Sequence, residues 1–172
     1  FATFAKSFGV ADVLVFGLAA LPFALTFDRV TNGLTRPFFG WVSDRIGREY
    51  TMLIAFMLEA ISIWLLLQFR DNALLFVLLS GVVFLGSGAI LPPFPSPLTD
   101  PFGPPNAPPH HGFLYMAQGI GSVLGGPVAA MVYGATGSWL PVFGLIIAMD
   151  AITALLAVFV LKPMRASYLA RG

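Results

Sequence analysis

The sequence predicts an all-α membrane protein, and three observations lead to that prediction. The 172 residues are 58% hydrophobic and only 10% charged, whereas a soluble domain carries about 25% charged residues. The mean hydropathy is +0.87. The apolar residues are gathered into long segments, each close to the roughly 20 residues that a helix needs to cross a bilayer. So few charges could not cover the surface of a soluble fold, so the predicted solvent is lipid.

Five apolar segments are candidate spans. Nine of the fourteen prolines lie between 92 and 111, and proline lacks an N–H and disfavours helix. That stretch is therefore predicted to be a loop outside the hydrocarbon. Residues 1–5 resemble the end of a further span, so we expect the chain to be a fragment cut inside an apolar segment. The predicted spans are about 14–41, 51–69, 73–92, 112–133 and 139–161.

Basic residues are distributed unevenly between the two sides of the predicted bundle. The connection at 43–50 and the C-terminal tail fall on one side and hold five Lys or Arg, whereas the other side holds Lys6 and Arg70. Cytoplasmic loops carry an excess of Lys and Arg, so the C-terminus is predicted to be cytoplasmic. The 92–111 loop should share that side, although it contains neither residue.

Composition also bears on possible partners. A net charge of +1 argues against nucleic acid, because phosphate binding needs a concentrated basic patch. The chain has no cysteine, which excludes disulfides and thiolate metal sites. His110 and His111 lie near Asp100, but adjacent His side chains rarely chelate one ion. We therefore expect the lipid bilayer as a partner, with no nucleic acid, no metal and no cofactor.

A polar face in the first full span is the main candidate for chemistry. Counting back from Gly40 at about 1.5 Å per residue places Arg29 roughly 16 Å deep and Arg36 roughly 6 Å deep. A guanidinium near the midplane is a functional candidate, and its planar fork suits a carboxylate. The alternative is an ion pair with Asp28 or with an acid on a neighbouring helix. The face has spacing i, i+3, i+4, i+7 and comprises Arg29, Asn32, Gly33 and Arg36.

Further polar positions occur in three other spans. Glu59 and Asp150 are ionisable, and each is either a proton relay or a packed, protonated acid. Gly121 and Gly125 form a small-xxx-small pair that predicts close helix packing. The fourth span carries a second polar face, formed by Tyr115, Gln118, Gly119 and Ser122.

The segment from Gly40 to Glu49 resembles the signature loop of the major facilitator superfamily. That motif has a glycine at a helix end, an Asp, a second glycine and flanking Arg residues. In the superfamily it joins the second and third helices and occurs again between the eighth and ninth. The alternative is an ordinary positively charged cytoplasmic loop. The resemblance implies a compact charged turn that locks helices together in one conformation, built from Gly40, Asp44, Arg45, Gly47 and Arg48.

Residues 28–40 and 112–119 are similar to the eighth and eleventh helices of the oxalate/formate antiporter family. The resemblance covers nearly the whole chain and implies the C-terminal helical bundle of such a transporter, with helices 8 to 12 and the end of helix 7. It implies exchange of small carboxylates by alternating access between two six-helix halves, in a bacterial inner membrane. We therefore expect the N-terminal half to be a missing partner.

The family pairs an Arg of helix 8, which corresponds to Arg29, with a Lys of helix 11. Its Tyr-Thr-Ala-Lys-Gly appears here as Tyr115-Met-Ala-Gln118-Gly119. Glutamine keeps hydrogen-bonding capacity but loses the charge that would balance a dianion, so a monocarboxylate is easier to accept than oxalate. The implied substrate-binding residues are Arg29, Asn32, Tyr115 and Gln118.

Several functions remain open at this point. The first is exchange of a small organic anion, and the second is a proton-coupled monocarboxylate or other organic-anion carrier using Glu59 or Asp150. A third is an inactive truncated product. A membrane enzyme is disfavoured because the chain lacks a clustered nucleophile, base or metal set, and a scaffold would not need Arg29 on a polar face within the membrane.

Overall fold

The fold is described from a computed structural model, for residues 9, 13–15, 18–69, 71–88 and 107–170. Helices dominate, so the predicted all-α class is confirmed. A hairpin of two short strands precedes them, with Leu14 opposite Ala19. The elements are β1 (Leu14–Val15), β2 (Leu18–Ala19), α1 (Ala20–Ile46), α2 (Arg48–Gln68), α3 (Ala73–Gly88), α4 (Ala107–Thr136), α5 (Leu140–Leu156), a π-helical turn (Ala157–Leu161) and α6 (Lys162–Leu169).

Three helical stretches among the described residues are long and apolar enough to cross a membrane, namely Arg48–Gln68, Tyr115–Thr136 and Leu140–Tyr168. The stretch Ala73–Ser87 is apolar but shorter. Helix α1 is not in this group, although its 27 residues give a length of about 40 Å. It carries five charged residues, at Asp28, Arg29, Arg36, Asp44 and Arg45.

The bounds of α1 differ from the predicted span at both ends. The span was predicted to begin at about 14, but residues 14–19 include the hairpin and the helix begins at Ala20. The prediction also took Gly40 as a helix end, yet the helix continues to Ile46. It stops at Gly47, whose φ of +89° is a left-handed value that a side chain disfavours. The corner between α1 and α2 is therefore made by the second glycine of the motif.

Helix α4 begins inside the segment that was predicted to be a proline-rich loop. Residues from Ala107 onward are helical, so the loop prediction is wrong for 107–111, while 89–106 lie outside the described residues. Pro108 and Pro109 fall in the first turn. The backbone N–H groups of a first turn have no partner within the helix, so proline is tolerated there.

The packing of α1 on α3 forms one part of the core. Ala24 and Val77 are buried in it together with Val15 of β1. The ring of Phe27 lies directly over Gly81, leaving no room there for a Cβ atom. The close approach of the two helices therefore depends on a glycine in α3.

Helix α2 packs against both α3 and α5. A Cβ added to Gly86 of α3 would lie 2.9 Å from Cβ of Glu59 and 3.2 Å from the carbonyl oxygen of Ala55, so the α2–α3 approach is equally close. On its other side, α2 buries Met52 and Phe56 against Ala154 and Ala157. Small residues at these crossings allow the backbones to approach, as is typical of membrane helices.

The cytoplasmic side was predicted to hold both the 43–50 connection and the C-terminal tail. In the structure, Nη1 of Arg165 lies 2.7 Å from Oε1 of Glu49, and Nζ of Lys162 lies 2.6 Å from the hydroxyl of Tyr50. These contacts join α6 to the start of α2. The two segments therefore share one end of the bundle, as expected, and the side of the membrane stays a prediction.

Candidate functional site

A groove of about 480 Å³ runs along the polar face of α1. The structure agrees with the predicted helical spacing, because all four residues of that face line the groove. Phe84 of α3 forms the opposite wall. The lining residues are Leu25, Asp28, Arg29, Asn32, Gly33, Arg36 and Phe84.

Both guanidinium groups of the groove are available to a ligand. Arg29 and Arg36 are exposed, and among the described residues neither forms a hydrogen bond or an ion pair, including with the adjacent Asp28. The alternative in which Arg29 serves only as the partner of a neighbouring acid has no support within this part of the chain. An Arg pair with unused donors can bind the oxygens of a carboxylate in bidentate fashion.

The observed end of α1 places both residues farther from the helix end than predicted. The helix ends at Ile46 and not at Gly40, so Arg36 is ten residues from the end (46 − 36), or about 15 Å. Arg29 is seventeen residues away (46 − 29), or about 25 Å. Both fall in the middle third of the helix. Arg36 therefore joins Arg29 as a candidate in the middle of the helix, and the depth of either residue in a membrane stays a prediction.

Asp28 adds an acidic group to this basic groove. Its side chain is buried, with only 3% of the residue exposed. Oδ1 lies 3.1 Å from Oγ of Ser80 on α3, and Oδ2 is buried without a hydrogen-bond partner among the described residues. Ser80 is itself 1% exposed. This polar contact lies within the apolar α1–α3 interface.

The second predicted polar face does not reach the groove. Tyr115 and Gln118 of α4 are exposed and are not among the groove-lining residues. Every residue from Tyr115 to Val128 is exposed, and α4 makes its main helix contact with α5. Gly121 and Gly125 have open space where a Cβ would stand, so no close packing of α4 occurs at these two glycines within the described part of the chain. Arg29 and Asn32 are brought together, while Tyr115 and Gln118 lie apart from them.

Glu59 lies on α2 and Asp150 on α5, two helices that pack against each other. Each has one buried oxygen without a hydrogen-bond partner among the described residues, Oε2 in Glu59 and Oδ2 in Asp150. An unsatisfied buried acid is costly unless it is neutral or finds a partner. Neither residue lines the groove.

The signature segment is mostly helical rather than a loop. Gly40, Asp44 and Arg45 lie in α1, and Arg48 is the first residue of α2. The guanidinium of Arg45 lies 4.1 Å from the ring centre of Trp41, a cation–π distance. Only Gly47 leaves the helical conformation. Its N–H donates to the carbonyl of Ser43 at 3.1 Å, and its carbonyl accepts from the N–H of Thr51 at 3.1 Å.

Comparison with known proteins identifies the family. A sequence model described as Major Facilitator Superfamily matches residues 1–170. The chain belongs to the major facilitator superfamily. It is also 33% identical over 121 residues to a protein named "Oxalate:formate antiporter" from Oxalobacter formigenes, an alignment that covers 67% of this chain and 28% of that relative. The chain thus spans little more than a quarter of the length of that relative.

As a member of the major facilitator superfamily, the chain is an integral membrane protein of a transporter family.

Sequence reasoning found the α1 face because its residues recur at helical spacing, but it missed the contribution of α3. Ser80 was the available signal, because it is a polar residue within an almost wholly apolar helix. Its contact with Asp28 depends on how α1 and α3 pack, which spacing does not reveal. Among the described residues, no group of three or more His, Cys, Asp or Glu could hold a metal ion.

Proposed function

We propose that this chain forms the C-terminal half of a secondary transporter that exchanges small carboxylates by alternating access. The observation that supports the proposal is that the guanidinium groups of Arg29 and Arg36 line one groove beside Asn32 and have no partner among the described residues. Membership of a transporter superfamily supports transport, and similarity to a protein named for oxalate and formate supports the carboxylate substrate class. A second half of the transporter would close the site and supply the rest of its lining.

In the proposed mechanism, the carboxylate enters the groove and each guanidinium can donate two parallel N–H bonds to its oxygens. The amide of Asn32 supplies a further donor on the same face. Tyr115 and Gln118 join the site only if α4 moves toward α1 during the cycle. Gly47, with its charged neighbours Asp44, Arg45 and Arg48, would fix the α1–α2 corner in one of the two states. The membrane is proposed to be a bacterial inner membrane with the C-terminus in the cytoplasm.

Uptake by the full-length protein in proteoliposomes tests this proposal. Vesicles loaded with formate or oxalate should take up labelled formate or oxalate, and empty vesicles should not. Arg29→Ala should abolish the exchange, while Arg29→Lys, which keeps the charge but loses the planar fork, should retain part of it. Full exchange by Arg29→Ala would contradict the site, and no exchange of either anion by the unaltered protein would contradict the substrate class.

A second candidate is a proton-coupled carrier of monocarboxylates or other organic anions. The buried carboxyl oxygens of Glu59 and Asp150, which have no hydrogen-bond partner among the described residues, favour it, because ionisable residues within membrane spans often belong to proton relays. Net uptake driven by an inward proton gradient, without any internal anion, would support this candidate over exchange. Glu59→Gln and Asp150→Asn should then each remove the proton-driven component.

A further inference from the structure

The hydrogen in the contact between Asp28 and Ser80 comes either from the serine hydroxyl or from a protonated Asp28. A serine hydroxyl has one hydrogen to donate and two lone pairs that accept. Oγ of Ser80 lies 2.8 Å from the carbonyl oxygen of Val77 and 3.1 Å from Oδ1 of Asp28. The shorter contact is the usual bond of a helical serine to the carbonyl three residues earlier. If the serine hydrogen is used there, the hydrogen between Ser80 and Asp28 must come from Asp28.

Burial and charge around Asp28 agree with a neutral carboxylic acid. The residue is 3% exposed, and an ionised carboxylate in such a place needs a paired cation or several donors. Oδ2 has no hydrogen-bond partner among the described residues. A protonated Asp28 would leave one neutral carboxyl oxygen unsatisfied, whereas an ionised Asp28 would leave a buried charge held by one shared hydroxyl.

The charged groups around Asp28 come from few elements. Helix α3, which packs against it, has no titratable residue, and neither strand of the hairpin has one. Helix α2 contributes Glu59, which faces Gly86, while its other charged residues, Arg48 and Glu49, lie at its first turn. On α1 itself, Arg29 and Arg36 line the same groove as Asp28. The groove arginines are thus the charges that its ionisation would affect most.

We propose that Asp28 is the proton-carrying residue of the groove and that its protonation favours binding of the substrate anion. With Asp28 neutral, the guanidiniums of Arg29 and Arg36 keep their full charge for the carboxylate. When the O–H bond of Asp28 breaks and the proton passes to water in the groove, the resulting carboxylate attracts the same guanidiniums and competes with the anion. By linkage, the anion and the proton each strengthen the binding of the other.

This inference rests on the proposed function and assigns the pH sensitivity of the same site to Asp28 rather than to Glu59 or Asp150. Binding of labelled formate to the purified full-length protein should weaken as the pH rises. Asp28→Asn, which imitates the neutral acid, should bind at least as tightly at every pH and lose most of the pH dependence. Glu59→Gln should keep the pH dependence. A steep pH profile in Asp28→Asn, or loss of binding at all pH values, would overturn the proposal.

The Ser80→Ala variant tests which residue donates the hydrogen in the bond between Asp28 and Ser80. If Asp28 donates to Ser80, removal of the hydroxyl destabilises the neutral acid, and the midpoint of the pH profile should move to lower pH by about one unit. A move to higher pH would show that Ser80 donates to a carboxylate, which contradicts the proposal.

Infrared spectroscopy separates this inference from the proposed function, since it needs no transported substrate. The carbonyl stretch of a protonated carboxylic acid should be present in the unaltered protein and reduced in Asp28→Asn, with Glu59→Gln as the comparison. If formate and oxalate both fail to bind but this band behaves as expected, the result contradicts the proposed carboxylate substrate and supports the protonation of Asp28. If the anions exchange and the band is unchanged by Asp28→Asn, the proton assignment fails alone.

Discussion

The polar faces of α1 and α4 look alike in the sequence but have different surroundings in the structure. Both combine hydrogen-bonding side chains with glycine at helical spacing. The α1 face lines a groove beside α3, and the adjoining side of α1 is buried, with Ala24 at 0% and Phe39 at 1% exposure. Helix α4 is exposed along Tyr115 to Val128. A polar pattern therefore indicates where a ligand can bind only when a neighbouring helix turns the pattern into a cavity.

The largest expected effect concerns the two arginines of the α1 face. Arg29→Gln and Arg36→Gln should each lower labelled-anion uptake by about 10- to 100-fold, because a hydrogen bond to a charged group contributes about 1.5–3 kcal/mol. Gln118→Leu on α4 should lower it far less. Equal losses from Arg29→Gln and Gln118→Leu would mean that the two faces meet in the working transporter, and a mild effect of Arg36→Gln would restore Arg29 as the main anion-binding residue.

The next effect compares a glycine of α3 with one of α4. Gly81→Ala should lower the free energy of unfolding in detergent by about 1–3 kcal/mol, since its Cβ would meet the ring of Phe27. Gly125→Ala has open space around the new Cβ and should be neutral or slightly stabilising. Thermal unfolding of the purified protein measures both. If Gly125→Ala destabilises as much as Gly81→Ala, α4 packs closely against a surface outside the described residues.

Two glycines of the signature segment form a similar matched pair. Gly47→Ala should destabilise by about 1–2 kcal/mol, because the left-handed φ at this position strains an L-residue. Gly40→Ala lies inside α1 with nothing within 4 Å of the new Cβ and should not destabilise, since alanine favours helix over glycine. Denaturation of the two variants side by side checks this. Equal stability would contradict the assignment of the α1–α2 corner to Gly47.

The smallest expected effect tests whether α4 contributes charge to the site. Gln118→Lys should raise uptake of oxalate relative to formate by about two- to fivefold, if α4 swings toward the groove, because an exposed charge pair contributes about 0.2–1 kcal/mol. Met116→Lys adds the same charge two residues away, on a different face of the helix, and is the control. An equal change in both variants would indicate a general electrostatic effect without a specific role for position 118.

Much of the α1 site could be predicted from the sequence because it depends on local spacing. Arg29, Asn32, Gly33 and Arg36 share a face in any α-helix, and the structure places them on one groove. The distance of Arg36 from the helix end was underestimated because Gly40 was taken as that end. Glycine is tolerated inside a helix when its φ is helical, and only the φ of +89° at Gly47 identifies the real end. Sequence alone does not give that angle.

The sequence by itself determined the lipid environment, the helical class and the polar face of α1, because these follow from composition and from a period of 3.6 residues. Tertiary structure alone decided which helices meet. It brought Ser80 into contact with Asp28 and the ring of Phe27 into contact with Gly81. It also kept Gln118 out of the groove that the two arginines line. The physical reason is that contacts between helices depend on close packing of side chains distant in the chain. A one-dimensional pattern specifies which face of a helix is polar, but not which neighbour that face will meet.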